Sequence, residues 1–218
     1  MKVMIIGATG FIGKSIKEYL ENNQTIKIIC PNRKELNLLN RSDCQTFISS
    51  EKPDCLIHCA VNVNSIEETL RSYYNVVSSY KSFGRMIYLG SGAEYNPSKY
   101  QPLMTENLSK NSFPIEGYPL GKWIIGNDIE NNNLENLINL RLFGIFGKYE
   151  DFSRRFISNN ICRVLSGLPI SMNKDMKFDY LFINDFCILL ERILMQEKIY
   201  QKTFNICSGK PIRLKDAA

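Results

Sequence analysis

The sequence predicts a doubly wound α/β fold built on a parallel sheet. Short apolar runs alternate with amphipathic stretches along most of the chain. Five of those runs, KVMII, IKIIC, DCLIHC, MIYLG and LINLRLF, are separated by segments long enough for a crossover helix. The first run leads directly into GATGFIG, a glycine-rich turn of the kind that joins a buried strand to a helix.

Each element follows from its local pattern. Residues 2–6 read as a buried strand, and FIGKSIKEYLEN (11–22) places Phe11, Ile12, Ile16, Tyr19 and Leu20 on one helical stripe. A strand at 26–30, a short helix near 42–50 and a strand at 54–59 come next. A helix over 66–82 and a strand over 86–90 follow. The loop 91–117 carries Pro97, Pro102 and Pro114 and is too long for a bare connection, so it is expected to cover something. A helix begins near Tyr118, with Pro119 tolerated in its first turn, and 137–143 closes the series. Residues 1–147 thus form a dinucleotide-binding type of core. Residues 148–218 hold a helix at 152–165, a strand-like 177–183, a helix from Asn184 and a strand at 203–207, with 177–207 returning to the core. RLKDAA at the end resembles the first turn of a further helix, so this second, smaller region is expected to be cut short there.

Composition narrows the function classes. The 218 residues are 44% hydrophobic and 22% charged, an ordinary globular balance with no apolar stretch long enough to span a bilayer and no basic-then-apolar leader. The seven cysteines (30, 44, 55, 59, 162, 187, 207) are odd in number, scattered and free of CxxC pairs. This fits a reducing cytoplasm and neither a disulfide scaffold nor a metal site. A net charge of +5 suits an anionic small ligand, while the basic residues are too dispersed to mark a nucleic-acid stripe.

In GATGFIG, Gly7 permits the turn, Gly10 lets backbone approach a pyrophosphate, and Gly13 lets the helix pack on the sheet. The helix N-terminus, with Thr9, Phe11 and Ile12 around it, faces the phosphates. An NAD site usually carries an acid at the end of the second strand. CPNRKEL (30–36) has Arg33 and Lys34 there instead. A guanidinium suits a 2′-phosphate, so NADP(H) is favoured over NAD(H). Lys14 either reinforces this or is a solvated helix residue.

YPLGK (118–122) sets Tyr118 and Lys122 one helical turn apart. With the glycine turn before it, the chain resembles the extended short-chain dehydrogenase/reductases, the Rossmann-fold family of nucleotide-sugar epimerases, dehydratases and reductases. HCAV (58–61) is similar to the family's Ala-containing segment beside the cofactor, which implies Ala60 there. YLGSGAEY (88–95) resembles the strand end bearing the catalytic Ser or Thr, which implies Ser91. NLRLFGIFG (139–147) resembles the LRxxNxYG stretch lining nicotinamide and sugar, with Gly144 in place of Asn. FDYLFINDF (178–186) looks like a late strand–helix motif in which Asp185 caps a helix. The resemblance implies Tyr118 as general acid/base, Lys122 as ribose ligand and acidifier of the phenol, and Ser91 as a donor to the carbonyl oxygen. A neighbouring ammonium and a cationic nicotinamide would stabilise the phenolate.

Departures narrow the chemistry. Family dehydratases carry Asp-Glu after the Ser/Thr, whereas Gly92-Ala93 stand here. Double epimerisation of the fucose-synthase type uses a Cys where this chain has Ala93, together with a later His; the single histidine, His58, lies in a buried strand. The family's helix Asn has no assigned counterpart, Asn75 being a bare candidate. Lys148, Arg154 and Arg155 fall where relatives grip a nucleotide diphosphate, although a solvated helix face accounts for the two arginines equally. Tyr95 is placed to flank the sugar, Phe152 and Phe156 read as core, and WIIGNDI (123–129) offers an apolar face for a homodimer. NRKELNLLN (32–40) reads most like the NADPH-dependent 4-keto-sugar reductases. The expectation is therefore a cytoplasmic NADPH-dependent reductase of a nucleotide-diphosphate keto sugar, feeding surface-polysaccharide synthesis. The alternatives are a C4 epimerase holding NAD tightly and a catalytically silent dinucleotide-binding protein.

Overall fold

The computed structural model describes residues 1–110 and 112–217. Strand β1 (Lys2–Ile6) sends Val3 and Ile5 to one face and Met4 and Ile6 to the other, all buried, so the sheet it starts is covered on both sides. Then come α1 (Phe11–Leu20), β2 (Lys27–Ile29), α2 (Arg41–Glu51), β3 (Cys55–His58), α3 (Ile66–Val77) and β4 (Arg85–Ser91). They are followed by α4 (Gly117–Asn131), β5 (Leu137–Leu142), β6 (Ile145–Phe146), α5 (Phe156–Leu165), β7 (Lys177–Phe178) and β8 (Leu181–Phe182). The chain ends with α6 (Ile183–Leu194), β9 (Thr203–Ile206), β10 (Ile212–Arg213) and α7 (Leu214–Ala217).

The central sheet has six strands in the order β2-β1-β3-β4-β5-β9, and every pairing in it is parallel. From β1 the chain winds outward to β2, then crosses back so that β3 lies on the other side of β1. That reversal opens a crevice at the carboxyl ends of β1 and β3. On one face α1 and α6 bury Ile16, Leu20, Phe186 and Leu190 against Val3, Ile5, Ile57, Ile87 and Leu140. On the other, α2, α3 and α4 bury Ile48, Tyr73, Val76, Ile125 and Ile129 against Met4, Leu56, Met86 and Tyr88. Each such side chain contributes about 1.5–3 kcal/mol. Removing most of Leu190, which is wholly buried, would cost about 2–5 kcal/mol. Arg85 ties the layers at their far end by donating to the carbonyls of Ile193, Gln196 and Glu197 as α6 runs out.

Three elements differ from the sequence expectation. The strand-like 177–183 is two strands, not one. At Asp179 and Tyr180 the chain changes partner, β7 pairing antiparallel with β10 and β8 parallel with β6, while Asp179 accepts the Ser208 amide at 2.6 Å. The helix expected over 152–165 starts at Phe156, because Asp151 draws the Ser153 amide and hydroxyl into a turn. Asp185 does not cap α6. The cap position is Phe182, with no side-chain bond, and Asp185 lies exposed in the first turn, where its charge favours the helix dipole. Phe152 is 58% exposed rather than core, whereas Phe156 is partly buried. Among the described residues no helix is long and apolar enough to cross a membrane. Nor do any three His, Cys, Asp or Glu residues there group into a metal site.

Candidate active site

A cleft of about 1030 Å³ lies over the carboxyl ends of β3, β4, β5 and β9, at the top of the size range of small-molecule sites. It is lined by Phe11 and Ile12 at the start of α1, Cys59 and Val61 after β3, Ser91 at the end of β4, and Tyr118 and Lys122 on α4. Tyr100 to Met104 of the long loop close one side, anchored where the Tyr100 hydroxyl donates to the Gly92 carbonyl at 3.1 Å. The lining holds four cations, Lys122, Arg154, Arg155 and Lys177, against two carboxylates, Glu150 and Asp179. The balance suits an anionic ligand.

The glycine turn follows β1, and of its residues only Phe11 and Ile12 line the cleft, Gly7 to Gly10 lying outside the lining. Gly7 adopts φ +84°, and a Cβ there would stand 2.8 Å from the backbone nitrogen of Ala60, so Ala60 acts as the wall against which the turn is folded. A Cβ on Gly13 would lie 2.3 Å from the Gly7 carbonyl oxygen, so its absence is what lets α1 close on the turn. A Cβ on Gly10 would find its nearest neighbour 3.6 Å away, and both Thr9 and Gly10 are exposed. Gly10 is also the N-cap of α1, with no side-chain cap and no acid in the first turn. The result is an open cradle with the unpaired amides of a helix N-terminus at its floor, which fits the pyrophosphate of a nicotinamide dinucleotide. Arg33 is exposed beside β2, outside the cleft lining, and makes no ion pair among the described residues. The loop carrying it is held by Asn32, whose side-chain oxygen accepts from the amides of Lys34 and Glu35.

Ser91, Tyr118 and Lys122 converge although they come from two elements. Lys122 is 4% exposed; its ammonium donates to the Leu89 carbonyl at 2.6 Å and lies 4.4 Å over the Tyr88 ring and 5.8 Å from the Tyr118 ring centroid. Burial lowers its pKa to about 8, opposed by the charge of Glu94. Burial raises the Tyr118 phenol, while the Ser91 hydroxyl and, more weakly, Arg155 pull it down. Lys122 is not among the groups that acidify the phenol, contrary to the sequence expectation, and desolvation prevails.

Beneath Ser91 runs a buried polar network. Glu94, wholly buried, accepts from the Ser91 amide (3.0 Å), from Arg141 Nε (2.6 Å) and from the Asn139 amide group (3.0 Å). Tyr95 belongs to this network and not to the cleft. It is 2% exposed, its hydroxyl donating to Asn205 at 2.7 Å and accepting from Arg141 at 3.1 Å, so it does not flank a sugar. Lys148 is likewise not a cleft residue: its ammonium is paired with Glu18 of α1 at 2.6 Å, on the outer surface. Arg154 and Arg155 do line the cleft, as does Gly144, whose φ of +43° and approach to the Asp179 carbonyl, 2.0 Å from a would-be Cβ, leave no room for the family's Asn. Asn75 donates to the Leu38 carbonyl at 2.8 Å and does not line the cleft, and His58 is packed at 1% exposure. Within WIIGNDI, Ile125 and Ile129 face the core and Trp123 stacks on Phe113 with centroids 4.4 Å apart.

The model of the NAD dependent epimerase/dehydratase family matches residues 3–207. The chain belongs to this family. Among curated proteins it is 27% identical over 121 residues to GDP-L-colitose synthase of Yersinia pseudotuberculosis, a match spanning 50% of this chain and 39% of that protein. The match thus covers well under half the length of that relative. Among solved structures, UDP-glucose 4-epimerase of Thermotoga maritima superposes over 100% of this chain and 80% of its own with a TM-score of 0.82, at 17% identity. GDP-mannoheptose C4 reductase of Campylobacter jejuni, with NADP bound, covers 99% and 81% with a TM-score of 0.79, at 19% identity. At these identities the structural likenesses establish the Rossmann-type, extended short-chain dehydrogenase/reductase fold.

Sequence reasoning missed Glu94, Arg141 and Asn139. A signal was present: Asn139 and Arg141 occupy alternate positions of an otherwise apolar run, and Glu94 stands among Gly90, Gly92 and Ala93. Polar residues in such places need a shared partner.

Proposed function

We propose that this protein is an NADPH-dependent reductase of a nucleotide-diphosphate-linked 4-keto sugar in surface-polysaccharide precursor synthesis. The observation that carries this reading is the meeting of Ser91, Tyr118 and Lys122 in a cation-rich cleft beside an open glycine cradle. Gly7, Thr9, Gly10, Phe11, Ile12, Gly13, Ala60 and Gly144 would hold the dinucleotide, and Arg33 would meet its 2′-phosphate. When bound, the coenzyme supplies hydride chemistry and a cationic ring once oxidised.

The chain's own residues do the rest. Ser91 donates a hydrogen bond to the sugar carbonyl oxygen as charge develops there. Tyr118 gives that oxygen its proton; the raised pKa of the buried phenol keeps it protonated, as a donor must be, through neutral pH. Lys122, fixed by the Leu89 carbonyl, presents its ammonium toward the ribose side, and the phenolate left behind is favoured by the Ser91 hydroxyl and Arg155. Arg154 and Arg155 grip the substrate diphosphate. Gly92 and Ala93 provide no acid, base or thiol, which favours plain reduction over dehydration or double epimerisation.

The test is NADPH and NADH binding followed by absorbance at 340 nm with a panel of nucleotide-diphosphate 4-keto-6-deoxy sugars. The expected result is NADPH preference and turnover that Tyr118→Phe lowers by at least about 10²-fold. Unchanged turnover in Tyr118→Phe removes the proton donor. Tight NAD retention with epimerisation and no need of reductant replaces the reductase with the C4 epimerase. Dinucleotide binding without turnover on any sugar leaves the silent protein.

A further inference from the structure

A carboxylate is buried where reduction by Ser91, Tyr118 and Lys122 does not ask for one. Glu94 is wholly enclosed, and the space for it is made by two glycines on two different elements. A Cβ on Gly90 of β4 would lie 2.3 Å from Glu94 Oε1, and a Cβ on Gly126 of α4 would lie 2.3 Å from Oε2. The carboxylate is thus wedged between the strand that ends in Ser91 and the helix that carries Tyr118 and Lys122. Gly126 lies one turn beyond Lys122 on that helix. On the third side β5 supplies Arg141, whose Nε donates to Oε2, and Asn139, whose amide group donates to both oxygens.

Glu94 also closes on Ser91 itself. The Ser91 hydroxyl accepts the Ala93 amide at 3.1 Å while the Glu94 side chain accepts the Ser91 amide at 3.0 Å, a reciprocal cap on the short 3-10 turn Gly92–Glu94. The backbone at the reacting serine is therefore pinned by an ion pair rather than left to the loop. We infer that Glu94 is a positioning residue of the Ser91–Tyr118–Lys122 site, setting the helix that bears the tyrosine and lysine at its working distance from the serine. The inference rests on the reductase reading for its chemistry but not for its geometry.

The groups that face the carboxylate are Arg141 from β5, Tyr88 from β4, and Tyr118 and Lys122 from α4. Lys122 is faced in addition by His58 and Cys59 from β3. An isosteric neutral replacement keeps the bulk but removes the charge and turns one acceptor oxygen into an amide donor facing the Ser91 amide, or Arg141 and Asn139, so it breaks the positioning contacts without opening a cavity.

Glu94→Gln is to be compared with wild type in two measurements. The Lys122 ammonium is titrated by ¹⁵N NMR, with Lys122→Met assigning the resonance. In wild type it is expected to titrate below the usual lysine range, near 8, and in Glu94→Gln lower still, because the carboxylate that favours the ammonium is gone. Turnover is expected to fall about 10²-fold, since misplacement near 1 Å has that effect. Should Glu94→Gln fail to fold around the orphaned guanidinium, Glu94→Gln/Arg141→Gln removes both charges and carries the same expectation. An unmoved Lys122 titration, or wild-type turnover, in a folded variant overturns the inference. The titration needs no sugar, so it judges Glu94 even if no substrate in the panel reacts. Turnover lost in Tyr118→Phe but untouched in Glu94→Gln leaves the reductase standing and sinks only this inference.

Discussion

Gly10 and Gly13 are three residues apart in one turn, yet their surroundings give them different costs. Gly13→Ala drives a methyl to 2.3 Å from the Gly7 carbonyl oxygen and 3.0 Å from Ala8 Cα, both backbone atoms that no rotamer change can move aside. Overpacking of this kind costs about 1–3 kcal/mol, and here the upper end applies. The gain in helix propensity from Gly to Ala returns up to about 1 kcal/mol. The net loss of about 2 kcal/mol corresponds to a fall of roughly 4–8 °C in Tm for a chain of this length. Gly10→Ala places its methyl no closer than 3.6 Å to anything, at φ −79° and ψ 170°, which alanine adopts freely. Its melting temperature should stay close to wild type. Its methyl, however, projects into the open cradle where the pyrophosphate is to lie. Dinucleotide affinity should drop at least about tenfold, or about 1.4 kcal/mol. The assay pairs thermal unfolding with fluorescence titration of NADPH for both variants. Wild-type NADPH affinity in Gly10→Ala would mean that no phosphate approaches this turn, and the cofactor site would have to be sought elsewhere.

Further expectations concern single side chains. His58 is the only histidine, fully buried with neither ring nitrogen bonded among the described residues, and burial lowers its pKa to about 4. Below pH 6.5 the unfolded chain takes up a proton that the folded chain refuses. Stability should therefore fall by about 3 kcal/mol between pH 6.5 and 4, and less so in His58→Leu. The single imidazole signal should show no titration near 6.5 by NMR, and a midpoint there would refute the burial. Arg33→Ala should weaken NADPH about 10–100-fold while leaving NADH unchanged, because only the 2′-phosphate loses its charge-assisted partner; equal losses for both coenzymes would refute the assignment. Lys148→Ala should leave substrate KM and kcat at wild-type values, since its ammonium serves Glu18, and a raised KM would return it to the cleft.

What could be read from the sequence was what depends on local spacing. Tyr118 and Lys122 lie four residues apart on one helix, and the glycines of GATGFIG announce a turn by their own conformational needs. The strands were legible from their apolar runs, as was the helix that begins beside Pro119. Misreadings arose where an outcome depended on a partner distant in the chain. Tyr95 looked like a sugar-flanking aromatic because Asn205, to which its hydroxyl donates, lies 110 residues away. Lys148 looked available because Glu18 is 130 residues upstream. The same holds for Glu94, whose meaning appears only when β4, α4 and β5 are brought together. The 177–183 run looked like one strand because periodicity reports apolar alternation, not which neighbouring strand each half will find.

The glycine-lined pocket for the Glu94 carboxylate ties positions that evolution would otherwise vary one at a time. A side chain gained at Gly90 or Gly126 collides with the acid. Loss of the acid strands Arg141, and loss of Arg141 strands the acid. Descendants of this gene therefore have few single steps open to them at these four sites. A side chain at either glycine therefore has to follow loss of the acid, and loss of the acid goes with loss of Arg141, so the order in which the four can be replaced is constrained.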